Sequence, residues 1–574
     1  MQYHARGWRK LTENPLLPVE HFKSYAVYFL VFGVSAFISA LALDPTASSL
    51  IEVKGALALT VLAAVLVAGL AVKYRKKEGF VIQLAAGIAT LLIFALTLFF
   101  MPQLGKSTVI LASCGVLVIM IWFTAFLLTG KLTAERMILL LLAVGFLIRI
   151  LYGLNTPIEV RQHDVEQFGS GNGHAGYIEY FFNNMKLPDF DPTTVWQFYH
   201  PPLHHFLVAV WLKIMTAFGL TWNRALESIQ FLTAFYSAAS MLISVKIFRI
   251  LGLKGKGLVL AAALIAFSPS FIIFSGSINN DILSITFTLA AIYATLKWVK
   301  TKKWTDIIQI ALFIGLGMST KQSIGAIAPA IALVFLLELI AGKGERWRLV
   351  CQFAVFAVIC IPLGLWWPVR NHLLFGSPLA YVPMLSLDSY QYIGTYNFVQ
   401  RFLFPPSISF SSNFILWGSY WNQPTCEFNV WSGLFKTAAF GEYNIAYSSS
   451  AGAWMTTVLA VSNVAVGLIG FGAMVYYLIK KQSMASRQKL LMLGVYLFVL
   501  FSYLSFAYTF PHTCTMNMRY ASPLLVIGSY FFARLAGDFL NNTKKAVKAI
   551  GYTLAGITAL FCVSSAIIYT TLGG

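Results

Sequence analysis

The chain has 574 residues, 58% of them hydrophobic and 11% charged. No water-soluble domain of this size covers so apolar a surface, and long unbroken apolar blocks exclude a β-barrel, whose strands alternate over about ten residues. The net charge of +20, from 41 basic and 21 acidic residues, is gathered in short loops between the apolar blocks, so it reads as a topology signal and not as a nucleic-acid surface.

A hydrocarbon core about 30 Å thick asks for roughly 20 apolar residues per helix. Windows near 24–44, 56–73, 80–101 and 107–129 meet that test, and a fifth helix runs near 135–153. The N-terminus carries Arg6, Arg9, Lys10 and Lys23 and lacks the apolar core of a secretory signal, so the first helix is expected to act as an uncleaved insertion signal. With that end inside, KYRKKE and then Lys131 and Arg136 fall in inside loops, and helix five emerges outside. Later inside clusters are Lys246/Arg249/Lys254/Lys256, Lys297/Lys300/Lys302/Lys303, Lys343/Arg346/Arg348, Lys480/Lys481/Arg487/Lys489 and Lys544/Lys545/Lys548. The parity holds only if YHPPLHHFLVAVWLKIM lies flat on the outer interface as an amphipathic helix; the alternative is that it crosses and a later short pair is miscounted.

The expectation is an all-α polytopic membrane protein with about 14–15 transmembrane helices, outer juxtamembrane helices and two long outer segments near 155–222 and 368–451. The second segment holds Trp417, Trp421 and Trp431, too aromatic for disorder and suited to sugar stacking or to an interface. The six cysteines are too scattered for a disulfide scaffold: Cys114, Cys351, Cys360 and Cys562 sit in apolar runs, while Cys426 and Cys514 fall in outer segments with no spacing rule to pair them. The only glycosylation sequon, at Asn541, falls inside, which favours a bacterial plasma membrane over the endoplasmic reticulum of a eukaryote.

The chemistry gathers where helix five leaves the membrane. RQHDVEQFG sets Asp164 and Glu166 just past the helix exit, and five of nine histidines (His163, His174, His200, His204, His205) share the loop that follows. HAGYIEYFF is helix-capable and follows at once. A solvated loop pair is the plain alternative for the two acids, set aside for Asp164 and level with function for Glu166. His200 and His204 have i, i+4 spacing, but Pro201 and Pro202 constrain the turn. No metal or other cofactor is expected, a divalent ion bridged by Asp164 or Glu166 being the lesser alternative. Arg149, one turn inside the helix exit, is expected to snorkel or to pair with an acid. Asn280 and Asp281 are expected first as a helix N-cap, and as site lining second.

HDVEQFG followed by YHPPLHHFL resembles the first outer loop of protein O-mannosyltransferases, with an acid before Phe-Gly and then His-Pro-Pro-Leu. The Pro-Pro-Leu is shared with the aminoarabinose transferases, and both groups are C-type membrane glycosyltransferases. FSPSFIIFSGSINNDILS, GLGMSTKQS, LWWPVRNHLLFGSP and MNMRYASP extend the resemblance over about 135–540. Val165 separates two acids that are adjacent in the mannosyltransferases, and the large globular outer insert of the eukaryotic enzymes is lacking. The resemblance implies a C-type catalytic membrane core over 135–540, accessory helices over 1–134 and a closing helix over 541–574. It implies a mannosyltransferase-like, inverting enzyme that moves sugar from a polyprenyl-phosphate donor to a hydroxyl of a glycan, lipid or protein on the extracytoplasmic face. In that scheme Asp164, with Glu166, does base work. Lys321, Arg370 and Arg519 hold the donor phosphate, and His163, His200, Asn280 and Asp281 line the substrates. A lipid-saccharide flippase or other transporter, or a non-catalytic polysaccharide-assembly subunit, is the alternative. Transport favours charges near the midplane, whereas here they gather at the outer boundary.

Overall fold

The computed structural model describes residues 107–128, 130–342, 344–389, 391–403, 427–442, 450–481 and 483–571. Expected helices one to three, Lys343, Trp417, Trp421 and Cys426 lie outside the described residues. Among the described residues the chain is helical with no named strand, and ten helices are long and apolar enough to cross a membrane. The expected all-α polytopic membrane protein is therefore what the chain forms. Lipid offers no partner for backbone N–H and C=O groups, so a crossing segment must satisfy them within a helix.

The chain enters with α1 (Ser107–Leu128) and α2 (Ala134–Asn155), whose N-cap is Thr133. Three elements then stay at one end: α3 (Gly173–Asn184), α4 (Leu203–Ala217) and α5 (Trp222–Glu227). Crossing resumes with α6 (Ile229–Ile250), the broken pair α7 (Gly255–Ala266) and α8 (Pro269–Gly276), α9 (Asp281–Thr301), α10 (Trp304–Met318), α11 (Ala328–Ala341) and α12 (Arg346–Phe375). After the short α13 (Phe398–Phe402) and α14 (Val430–Phe440), α15 (Ser450–Ile479), α16 (Ser486–Thr509), α17 (Pro523–Leu540) and α18 (Lys545–Thr571) complete the bundle.

The two ends differ in charge. At the basic end Arg249 pairs with Glu135, Lys297 with Asp306 at 2.7 Å, and Lys302 and Arg487 with Glu338 at 3.1 and 3.0 Å. The opposite end is tied by Gln230 Nε2 donating to Thr156 O at 2.9 Å and Asn155 Nδ2 to Thr570 O at 3.0 Å. α4 does not cross. Its Leu203 N–H donates to Ser319 O at 3.1 Å, and Trp211 Nε1 donates to Ser228 Oγ at 2.9 Å, both at that opposite end. It buries His204, His205, Val208 and Leu212 and exposes Phe206 and Ile214, as an interfacial helix does.

Two buried devices depart from expectation. Arg149 neither snorkels nor meets an acid. Pro269 lacks an N–H and disfavours helix before it, so α7 stops at Ala266. The freed Ala266 O accepts Arg149 NH1 at 2.8 Å, Gly145 O accepts the same nitrogen at 2.7 Å, and Ser237 Oγ accepts Nε at 2.7 Å. The second outer segment also starts later than 368, because α12 runs on through Pro368 to Phe375 and ends at Gly376, φ 71°. Pro368 leaves the Gly364 carbonyl without its helical partner, and Gln322 Nε2 donates to that carbonyl at 3.1 Å.

Candidate active site

The site is built where α2, α8, α9, the 318–322 turn and the 513–520 turn meet at the end away from the basic loops. Residues 161–166 form a taut loop: Arg161, Asp164 and Glu166 all have φ between 55° and 59°, a region that side chains other than glycine enter only when held. The hold is visible. In the first turn of α3, the His174 and Ala175 N–H groups donate to Asp164 O at 3.2 Å and Val165 O at 2.9 Å. Gly173 (φ 71°) makes that approach possible, since a Cβ there would lie 2.3 Å from Val165 O. Gln162 clasps the end of α8, donating to Gly276 O at 2.9 Å and accepting from Ile278 N at 3.0 Å.

Asp164 Oδ2 meets Arg519 NH1 at 2.8 Å, and the same nitrogen lies 3.9 Å from Asp281 Oδ2. Asp281 in turn pairs with Lys321 and accepts Asn279 Nδ2 at 3.0 Å. The string Asp164, Arg519, Asp281, Lys321 thus joins four of the expected residues. Arg519 and Lys321 both lie against the Tyr520 ring, 4.8 and 5.1 Å from its centre. Asp164 keeps 34% of its side chain exposed, while Arg519 is 4% and Asp281 2% exposed. Burial alone would lower the Arg519 guanidinium, but Asp164 first, then Tyr520, Glu442 and Asp281, hold it well above its ordinary value. Its Nε is buried without a hydrogen-bond partner.

The other expected residues are placed differently. Glu166 points away into solvent one residue beyond buried Val165. Asn280 stands at the N-cap of α9 but makes no cap bond; its amide donates to Thr320 O at 2.9 Å, so the capping expectation gives way to a tether between α9 and the Lys321 turn. Arg370 is not brought beside Lys321. Its guanidinium donates to Pro188 O and, at 2.8 Å, to Asn371 Oδ1, and lies over Trp367 and Phe375. His163 is buried, with Nδ1 3.1 Å from Glu442 Oε2.

The other four histidines of this loop cluster together, three of them buried and His200 half-buried. His200 lies against His174 at 5.3 Å, and His174 Nδ1 is 2.8 Å from His205 Nε2. Burial pushes all three well below their ordinary value, with the Lys321 and Arg519 charges adding to the effect on His200 and His174. His204 donates Nε2–H to Ile278 O at 2.9 Å, and burial lowers it to about 4. Among the described residues no group of three His, Cys, Asp or Glu side chains is arranged to hold a metal. Tyr199 lies beside the cluster; burial raises its hydroxyl, and the Asp164 charge raises it further.

Three participants were not singled out from the sequence. Glu442 receives His163 and, at 2.7 Å, Asn517 Nδ2. Asn517 Oδ1 accepts Arg519 N at 2.9 Å, and Tyr520 floors both cations. The available signal was the scarcity of acids: a carboxylate in an apolar, aromatic segment needs a partner.

Residues 199–369 match the family described as dolichyl-phosphate-mannose-protein mannosyltransferase. The match opens at Tyr199, takes in Asn280, Asp281 and Lys321, and stops short of Arg370; Asp164, Glu442 and Arg519 lie outside it. No curated protein matches the chain. Among solved structures, the chain is similar to the oligosaccharyltransferase AglB from Archaeoglobus fulgidus, in complex with an inhibitory peptide and a dolichol-phosphate, at 14% identity and a TM-score of 0.47 over 76% of this chain and 56% of that one. It therefore spans little more than half the length of the archaeal protein. It is also similar to ArnT from Cupriavidus metallidurans in the apo state (10% identity, TM-score 0.42, 73% of this chain and 74% of that one) and bound to undecaprenyl phosphate (12%, 0.32, 71% and 80%). From Tyr199 to Val369, the chain is similar to a domain of the dolichyl-phosphate-mannose-protein mannosyltransferase family.

Proposed function

We propose that this multi-pass membrane protein is a glycosyltransferase that moves a sugar from a polyprenyl-phosphate donor to an acceptor hydroxyl at the end of the bundle away from the basic loops. That end is the extracytoplasmic side, in a bacterial plasma membrane or, for a eukaryotic source, the endoplasmic reticulum. Residues 135–540 are the catalytic core, 1–134 are accessory, and 541–574 close the bundle. The observation that carries the reading is the string Asp164, Arg519, Asp281, Lys321: a half-exposed carboxylate beside a buried, fully charged guanidinium with an unspent N–H.

Asp164 acts as general base. An ionised carboxylate has about four acceptor positions and Arg519 takes one, leaving lone pairs for an incoming hydroxyl. As the proton passes to Asp164, the acceptor oxygen bonds to the anomeric carbon, and the bond from that carbon to the phosphate oxygen breaks with its electron pair leaving on the phosphate. Attack opposite the leaving group inverts the configuration. Lys321 and Arg519 receive the developing charge. Arg370, braced by Pro188 O over Trp367, serves the phosphate from farther out. His163 and His200 line the substrates with Asn280 and Asp281, and Glu166 waits at the solvent edge for the acceptor, which is a glycan, lipid or protein.

The test is Asp164→Asn, assayed with polyprenyl-phosphate mannose and with other polyprenyl-phosphate sugars. Loss of general-base catalysis lowers kcat by about 10² to 10⁴ with donor binding retained. Turnover within threefold of the parent removes Asp164 as the base.

A further inference from the structure

We infer that Glu442 is a positioning residue that fixes Asp164 and Arg519 relative to one another. This rests on the reading of Asp164 as the base. Glu442 comes from the second outer segment, which supplies no other member of the charged string, and it arrives on a firmly anchored element. α14 receives Ser270 Oγ on Ala438 O at 2.9 Å, Asn463 Nδ2 on Phe435 O at 3.0 Å and Tyr503 OH on Val430 O at 2.7 Å. Tyr569 OH donates to Ala439 O, and Thr437 Oγ1 accepts Met518 N at 2.8 Å. Four crossing helices and the 513–520 turn therefore hold α14, and Gly441, at φ 64°, ends it and turns Glu442 into the site.

Each carboxylate oxygen then takes one loop. Oε2 meets His163 Nδ1 at 3.1 Å, one residue before Asp164. Oε1 accepts Asn517 Nδ2 at 2.7 Å, and Asn517 caps Arg519 through its backbone N–H at 2.9 Å. The base and the cation, Asp164 and Arg519, sit on loops 355 positions apart in sequence, one of them in a backbone region that needs an external hold. The Glu442 carboxylate is the polar link that reaches both from one rigid element. Burial alone would raise that carboxyl, but the His163 charge and bond, the Arg519 charge and the Asn517 bond outweigh it and keep it below the usual range. Glu442 thus stays an acceptor on both oxygens. An amide has a single acceptor oxygen, so Glu442→Gln holds both donors only if His163 changes tautomer, and Glu442→Ala holds neither.

The experiment measures Glu442→Ala and Glu442→Gln in the full-length protein, by polyprenyl-phosphate mannose turnover and by amide hydrogen exchange of segments 161–166 and 513–520. A displacement of about 1 Å costs about 100-fold in rate, so Glu442→Ala is expected to lower kcat by about that factor, with donor KM changing far less. Exchange rises in both segments together. Where Glu442→Ala does not fold, Glu442→Gln decides, with a fall of about tenfold and the same paired rise in exchange. A kcat within threefold of the parent, a change confined to KM, or exchange rising in one segment alone overturns the inference. An active Asp164→Asn sinks the base assignment and leaves the paired exchange to judge Glu442. An inactive Asp164→Asn beside a fully active Glu442→Ala sinks the Glu442 inference alone.

Discussion

Asp281 and Lys321 form a buried ion pair of the site, with side chains 2% and 12% exposed. Lys321→Met strands a carboxylate that water does not reach. Breaking a buried pair costs about 3–5 kcal/mol, and the low end applies here because Asn279 Nδ2 at 3.0 Å and Arg519 at 3.9 Å still face Asp281. Asp281→Asn leaves Lys321 over the Tyr520 ring, which offsets part of the loss, so about 1.5 kcal/mol is expected. The double variant strands no charge and should cost only about 2 kcal/mol, which gives a coupling of about 2.5 kcal/mol between the two positions. Unfolding by SDS in mixed micelles, followed by tryptophan fluorescence, measures the cycle. Additivity of the two single changes to within about 0.5 kcal/mol refutes the pairing as the source of stability.

Acid should loosen the cap over residues 173–205 before it loosens the bundle. His174, His200 and His205 are held well below 6.5 and His204 at about 4, chiefly by burial, so the folded cap refuses protons that the unfolded segment accepts. Their contribution is complete above pH 6.5 and is lost as pH falls below it, by up to about 1.4 kcal/mol per pH unit for each group. Hydrogen exchange over 173–205 at pH 7.5 and 5.5, corrected for intrinsic rates, should show the loss; equal protection at both values contradicts it. Gly173→Ala places a methyl 2.3 Å from Val165 O and 2.7 Å from Glu166 Cβ at a left-handed position. The Asp164 loop must move by about 1 Å, lowering kcat about 100-fold while the bundle unfolds at the parent SDS concentration. Parental turnover in this variant would show that the α3 clamp does not position Asp164.

The crossings were legible because lipid leaves the backbone no choice but helix, and the basic loops fixed which segments cross. The flat lie of α4 came from the same parity, and its Leu203 and Trp211 both bond to atoms at one end of the bundle. What hydropathy does not carry is how a break in a helix is repaired. Pro368 looks like a terminus because the residue that takes the freed Gly364 carbonyl, Gln322, lies 46 positions away. Arg149 looks like a snorkelling cation because the carbonyl it serves belongs to α7. Both repairs are tertiary, so a window of sequence around either residue contains half of the interaction.

The candidate site divides along the same line. Asp164, Asp281, Lys321 and Arg519 stood out as polar residues at helix ends, but which acid faces which cation is set by packing, which also turns Arg370 toward Pro188 O. Adding Glu442 changes the charge balance that the sequence suggested. Three carboxylates now face Arg519 and Lys321, with His163 between Glu442 and Asp164. On the proposed reading, cations already matched by carboxylates do not clamp a resting phosphate strongly, so little binding energy is spent on the ground state. The Arg519 N–H that lacks a partner is available as negative charge grows on the leaving oxygen, which is where a catalyst gains rate. A site made of unmatched cations would instead hold donor and product alike and slow release of the lipid phosphate.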